Sequence, residues 1–259
     1  MRGMISTIPA FKDNYIWCLE DQAAGQATVV DPGDAAPVIH HLDERGLALA
    51  AILITHHHGD HTGGITRLKQ RWPQAAVYGP AGERIPGSDH ALAEGEQVTV
   101  PGIEGPLTVI EVPGHTRGHI AYHGGGCLFC GDALFACGCG AVFEGTPEQM
   151  HASLEKLRVL PGETRVYCAH EYTLENLDFA RQVEPASEAL QKRDAEARER
   201  RRQGIPTVPS TMHEECATNP FLRGHVPEVR DAAQRWSGRS LDSPTEVFAT
   251  VRAWKDALD

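Results

Sequence analysis

The sequence predicts an α/β fold followed by a helical region, and three observations carry that reading. First, residues 35–45 place Val38, Ile39 and Leu42 at helical spacing and run into the continuous apolar stretch 47–54, which is strand-like in length and composition. With the strand before it this makes a β-α-β unit, which requires parallel pairing and a layered α/β arrangement. Second, four strand-like runs end in His or Asp: 47–54 before His56, 107–112 before His115, 128–131 before Asp132, and 165–169 before His170. Open α/β sheets gather ligand sites at such strand ends. Third, beyond about Thr173 the strand-like runs stop and helical spacing takes over. The expected domains are therefore 1–172, carrying the chemistry, and 173–259, a small helical domain covering one rim of the site.

The elements follow in order. Strands are expected at 5–9, 15–19 and 27–30, the last running into Asp31-Pro32-Gly33-Asp34, where Asp31 alone reads as a turn residue. On the helix 35–45, His40 and His41 are placed at the surface. A helix starts near Ile65 and runs toward Trp72, short strands follow at 76–78 and 98–100, and His90 between them is expected to be exposed. Thr146, Pro147 and Gln149 form a helix start with a cap, a proline in the first turn and a closing glutamine. On that helix Met150, Leu154 and Leu157 face inward and His151 faces solvent. Helices are expected at 174–183, 186–203 and 245–258, the second with Glu and Arg at i,i+4 spacing as a solvated charged face.

Composition narrows the function. The 259 residues are 41% apolar, enough for one large domain or a core with an appendage. The net charge of -11 opposes a nucleic-acid groove, which needs Lys and Arg against phosphates. No run of eighteen apolar residues occurs and the N-terminus lacks a signal-peptide pattern, so a cytoplasmic protein without membrane association is expected, as a monomer. Seven cysteines, an odd number, read as reduced thiols. Cys127 and Cys130 fall on opposite faces of a strand, and Cys137 and Cys139 are given packing or loop roles.

The chemistry centres on Thr55-His56-His57-His58-Gly59-Asp60-His61, internal to the chain and directly after a buried strand. In an extended segment alternate side chains share a face, so His56 and His58 can bind one ion while His57 points away. Asp60 and His61 come after the turn and aim at a second position. Imidazole nitrogen with carboxylate oxygen suits borderline divalent ions such as zinc, iron or manganese.

The pattern Thr-His-x-His-x-Asp-His resembles the signature of the metallo-β-lactamase superfamily, and Pro113-Gly114-His115-Thr116-Arg117-Gly118-His119 is similar to that superfamily's next motif. The resemblance implies a four-layer αβ/βα sandwich and two divalent metal ions. It implies His56, His58 and His115 on one ion, Asp60, His61 and His170 on the other, and Asp132 bridging. His58, Asp60 and Asp132 are the candidate catalytic residues among them. Asp31 is implied to lie behind the ligands and orient them, and His119 is read as structural. Two ions about 3.5–4 Å apart can lower the pKa of a shared water toward ~7 and hold a developing oxyanion.

Over the whole chain the likeness narrows to glyoxalase II, the hydroxyacylglutathione hydrolases. It is carried by Phe11-Lys12-Asp13-Asn14-Tyr15, by the stretch from Cys139 to Thr146, by Ala169-His170-Glu171-Tyr172-Thr173, by Asn219-Pro220-Phe221-Leu222-Arg223, and by Arg252 and Lys255. The resemblance implies hydrolysis of the thioester S-D-lactoylglutathione by a metal-bridging hydroxide, the second step of methylglyoxal detoxification. It implies substrate contacts from Tyr172, Arg252 and Lys255. Phe143 stands where the family carries an aromatic hydroxyl, and Ala141 where it carries Lys or Arg, so one polar and one charged contact are missing. A mono-iron glutathione persulfide dioxygenase is the alternative enzyme. A nuclease or phosphodiesterase conflicts with the charge balance, and a non-catalytic metal-binding scaffold conflicts with so full a ligand set.

Overall fold

The computed structural model describes residues 4–258. Residues 1–3, part of the N-terminal stretch read for targeting, and residue 259 lie outside it. Two compact units are present: the chain up to Glu111 with Arg117–Gly131, and Val112–Thr116 with the chain from Asp132 onward. Packing divides the chain inside strand-end loops, whereas the 172/173 boundary rests on composition.

The first unit opens with β1 (Met4–Ala10), β2 (Asn14–Asp21) and β3 (Gln26–Val30), then α1 (Ala35–Arg45), β4 (Ala48–Leu53), α2 (Gly59–Thr62), α3 (Ile65–Arg71), β5 (Ala76–Pro80) and β6 (His90–Leu92). These six strands form one sheet in sequence order. The β1–β2–β3 meander is antiparallel, and β3 to β6 pair parallel, as the helix between β3 and β4 demands. Val38 and Leu42 of α1 and Ile65 and Leu68 of α3 pack with Val29, Ile52 and Ile54 in one core. Burial of β4 on this scale explains why its sequence is continuously apolar rather than alternating. An antiparallel set completes the unit: β7 (Gln97–Val98), β8 (Leu107–Glu111), β9 (Ile120–Gly124) and β10 (Cys127–Gly131).

The second unit holds the small hairpin β11 (Leu134–Phe135) and β12 (Gly138–Cys139), then α4 (Pro147–Arg158), β13 (Arg165–Cys168), α5 (Thr173–Val183), α6 (Glu188–Arg202), β14 (Ser210–Thr211), α7 (Met212–Thr218), α8 (Pro227–Ser237) and α9 (Pro244–Asp256). α4 starts with the expected reciprocal cap between Thr146 and Gln149, and α9 repeats it with Ser243 and Glu246.

Four readings need correction. His41 is not a surface group: its Nε2 lies 2.9 Å from Glu20 Oε1, a carboxylate fully shielded from solvent that also receives Ser6 Oγ, Gln22 and Arg45. His151 is largely covered and meets Thr245 Oγ1 at 3.0 Å. The face of α6 is not wholly solvated, because Arg193 is buried and bonds Glu215 and Thr218, while Asp194 pairs with Arg181 at 2.8 Å. α7 and α8 lie where no helix was expected. In the first three cases a polar side chain is covered because a partner distant in sequence satisfies it, and helical spacing carries no trace of that partner.

Candidate metal centre

The seven residues expected to hold metal fall four in the first unit and three in the second. In the first unit β4 delivers Thr55 and His56 at its end, and His58 stands at the N-terminus of the single turn α2, which carries Asp60 and His61. His56 and His61 are buried, whereas His58 is half-exposed and the Asp60 side chain keeps 41% of its exposure. The His56 Nε2 and His58 Nδ1 atoms approach to 3.0 Å, with rings edge to face. Tetrahedral zinc with bonds of about 2.05 Å sets its ligand atoms about 3.3 Å apart. The two nitrogens are therefore spaced as ligands of one ion. His61 Nε2 lies 3.4 Å from Asp60 Oδ2, a second pair at the same spacing.

Around this loop stands a set of orienting contacts. Asp31, buried and with φ 53°, accepts from Thr55 N at 2.8 Å and Thr55 Oγ1 at 2.7 Å, and meets His61 Nδ1 at 3.1 Å. A carboxylate on Nδ1 leaves Nε2 as the ligating atom of His61. Gly33 is required here: a Cβ would lie 1.8 Å from the Asp60 carbonyl oxygen, so any side chain would displace α2. His57 points away, as expected, and both its backbone N–H and Nδ1 meet Glu83 Oε2, at 2.6 and 2.8 Å. Oε1 of the same Glu83 accepts from Gly118 N at 3.0 Å. His119 is fully buried and stacks on the His56 ring at 4.6 Å, in keeping with a structural reading.

In the second unit the three remaining candidates converge on Asp132. Its Oδ2 lies 3.5 Å from His115 Nε2 and its Oδ1 lies 3.5 Å from His170 Nε2, so each carboxylate oxygen faces a different imidazole nitrogen. A carboxylate so placed offers an oxygen to each side. His115 Nδ1 is bonded to the Ala141 carbonyl at 2.8 Å, which commits the ring to presenting Nε2. Because the acceptor is backbone, the departure to alanine at 141 does not disturb this orientation. Gly140 permits the close approach, since a Cβ there would meet the Asp132 carbonyl at 2.0 Å.

The expected substrate contacts all lie in the second unit. Tyr172 stacks parallel on His170 at 4.7 Å, and Phe135 packs edge-on against both. Phe143 is 69% exposed, 5.1 Å from the His115 ring. Arg252 is only 4% exposed: Nη1 donates to the Cys139 carbonyl at 3.1 Å, Nε donates to Asp256 at 2.9 Å, and the guanidinium covers the Phe221 ring. Burial alone would lower the Arg252 pKa, but the Cys139 sulfur and the Asp256 carboxylate outweigh it and raise it, so the charge is kept. Lys255, three residues on, is half-exposed. All seven cysteines are free thiols, and burial pushes Cys137 and Cys168 up to about 12 and Cys139 up to about 11.

Sequence reasoning missed two side chains here. Asn14 donates from Nδ2 to Asp60 Oδ2 at 3.0 Å, and Glu83 ties the ligand loop to Gly118. Asn14 lay inside a quoted motif without a role, and Glu83 sat in a polar loop that offered no signal.

The donor set is imidazole nitrogen and carboxylate oxygen at ligand spacing, and the chain carries His and Asp groups fit to hold divalent metal ions. Residues 15–170 match the family model of the metallo-beta-lactamase superfamily, and residues 171–258 match that of the hydroxyacylglutathione hydrolase C-terminus. A hydroxyacylglutathione hydrolase of Alkalilimnicola ehrlichii is 59% identical over 97% of this chain and 98% of its own length. One from Nitrosomonas europaea is 51% identical over 98% and 96%. Among solved structures, ETHE1 from Myxococcus xanthus is 25% identical with a TM-score of 0.66, covering 98% of this chain and 99% of its own. TTHA1623, crystallised in a di-iron-bound form, is 26% identical with a TM-score of 0.57, covering 85% of this chain and all of its own. With a metallo-beta-lactamase fold, ligand-spaced His and Asp side chains, and relatives matched almost end to end, the chain belongs to the hydroxyacylglutathione hydrolase family.

Proposed function

We propose that this protein hydrolyses S-D-lactoylglutathione and related 2-hydroxyacylglutathiones to glutathione and the free hydroxy acid. The match of residues 171–258 to the hydroxyacylglutathione hydrolase C-terminus carries the reading, because that segment separates this family from others sharing the metal motif. In this reading the two ligand sets serve two ions, zinc foremost, with His56, His58 and His115 on one, Asp60, His61 and His170 on the other, and Asp132 between. Such ions, when bound, lower the pKa of water and stabilise a developing oxyanion.

The chain's own groups do the rest. Asp31 and the Ala141 carbonyl set the ring orientations of His61 and His115. Tyr172 and Phe143 offer aromatic surface beside the ligand histidines, and Lys255 offers an accessible cation to an anionic tripeptide. Arg252, occupied by Cys139 and Asp256, contributes its retained charge to the same helix end. The thioester C–S bond breaks as a C–O bond to water forms, and the sulfur leaves as thiolate before taking up a proton. No helix among the described residues is long and apolar enough to cross a membrane.

The test is steady-state thiol release from S-D-lactoylglutathione, run beside oxygen uptake with glutathione persulfide. Thiol release abolished by chelator supports the hydrolase; oxygen uptake without thioester turnover would replace it with the dioxygenase alternative, which the relatives do not favour.

A further inference from the structure

We propose that Asn14 is a positioning residue for the second of the two ions, acting through Asp60. The inference rests on the two-ion reading above. Asp60 is the most solvent-exposed carboxylate of the ligand set, its side chain retaining 41% of its exposure, and it sits on a helix only four residues long. A short acidic side chain so placed has several staggered rotamers open to it, and the one adopted sets Oδ2 beside His61 Nε2.

Asn14 selects that rotamer. Its Nδ2 donates to Asp60 Oδ2 at 3.0 Å, the same oxygen that lies 3.4 Å from His61 Nε2. A carboxylate oxygen has two lone pairs, so one can take the amide hydrogen while the other is directed at the position His61 faces. The donor is itself fixed. Asn14 is 7% exposed, begins β2, and pairs with Ala10 across the antiparallel β1–β2 ladder, with the intervening turn passing through Phe11 at φ 50°. An amide in this place also carries no charge, so it orients the carboxylate without competing for the cation as a lysine would. Partners of ligating groups of this kind change metal affinity by about 10–100-fold when removed.

The experiment is a zinc titration of the metal-stripped full-length chain in competition with a chromophoric chelator, for wild type, Asn14→Ala and Asn14→Leu, alone and in an Asp60→Ala background. Asn14→Leu keeps the volume at the buried site if the smaller side chain impairs folding. The expected result is two equivalents in wild type and, in both variants, one of them weakened about 10–100-fold with the other unchanged. Once Asp60 is alanine, the change at position 14 should have no further effect on zinc affinity. Equal weakening of both equivalents together with a lowered Tm of the stripped protein, an unchanged titration, or full additivity with Asp60→Ala would each overturn the role. A wild-type chain that binds fewer than two equivalents would instead overturn the two-ion reading, and this inference with it.

Discussion

The two ligand clusters are built in opposite ways. In the first unit four candidate ligands sit within six positions, on a loop where strand alternation and one helical turn set the directions of His56, His58, Asp60 and His61. In the second, His115, Asp132 and His170 are spread over fifty-odd residues and meet only because three separate loops are held together. The first cluster is a property of local backbone geometry, whereas the second is a property of the fold. Each therefore fails differently, and that difference can be measured.

The largest effect is expected at Asp132. Asp132→Asn removes the charge and leaves one side an amide nitrogen, so it should reduce kcat/KM at least about 10³-fold, some 4 kcal/mol, with loss of bound metal. An equal loss from conservative changes at His56 would erase the distinction between a bridging and a single-ion ligand. Next comes Gly33→Ala, which tests whether the contiguous loop depends on its neighbour: a Cβ only 1.8 Å from the Asp60 carbonyl oxygen should cost about 3 kcal/mol in denaturant unfolding and weaken metal binding as α2 shifts. A neutral Gly33→Ala would show that the loop holds its shape unaided. Arg252→Ala, in the second unit, should raise KM about tenfold, or 1.4 kcal/mol, with kcat changed less, because it releases the Cys139 carbonyl and Asp256 beside Lys255 rather than removing a group of the reaction itself.

The smallest effect lies away from both clusters. Burial pushes the Glu20 carboxyl up, but hydrogen bonds from Ser6, His41 and Gln22 and the charge of Arg45 outweigh it, so its pKa lies below the ordinary 4.5. A depressed carboxyl stabilises the fold above its unfolded-state value, and that stability is lost as pH falls through the folded value. Glu20→Gln should therefore flatten the acid limb of the stability curve without altering metal content, which checks that acid sensitivity of the fold and of the ligand clusters are separable.

The same contrast explains what could be read from residues alone. The 55–61 loop, the β-α-β unit and the α4 cap were legible because the deciding interactions lie within a few positions. Asp132 was less so: Gly-Asp after a strand is usually a turn, and only the company of other strand-end loops argued otherwise. Asn14, Glu83 and the Arg193–Glu215 pair were not legible at all, since each owes its role to a partner tens of residues away. The burial of Arg252 was hidden too, because helical spacing shows that it shares a face with Lys255 but not that Cys139 and Phe221 close over it.

Reconstitution of activity against metal added tests the central claim most directly. Stripped protein given increasing zinc should regain thiol release from S-D-lactoylglutathione in step with ion uptake and level off at two equivalents per chain. Full turnover without added metal, or a plateau at one equivalent, would contradict the two-ion proposal.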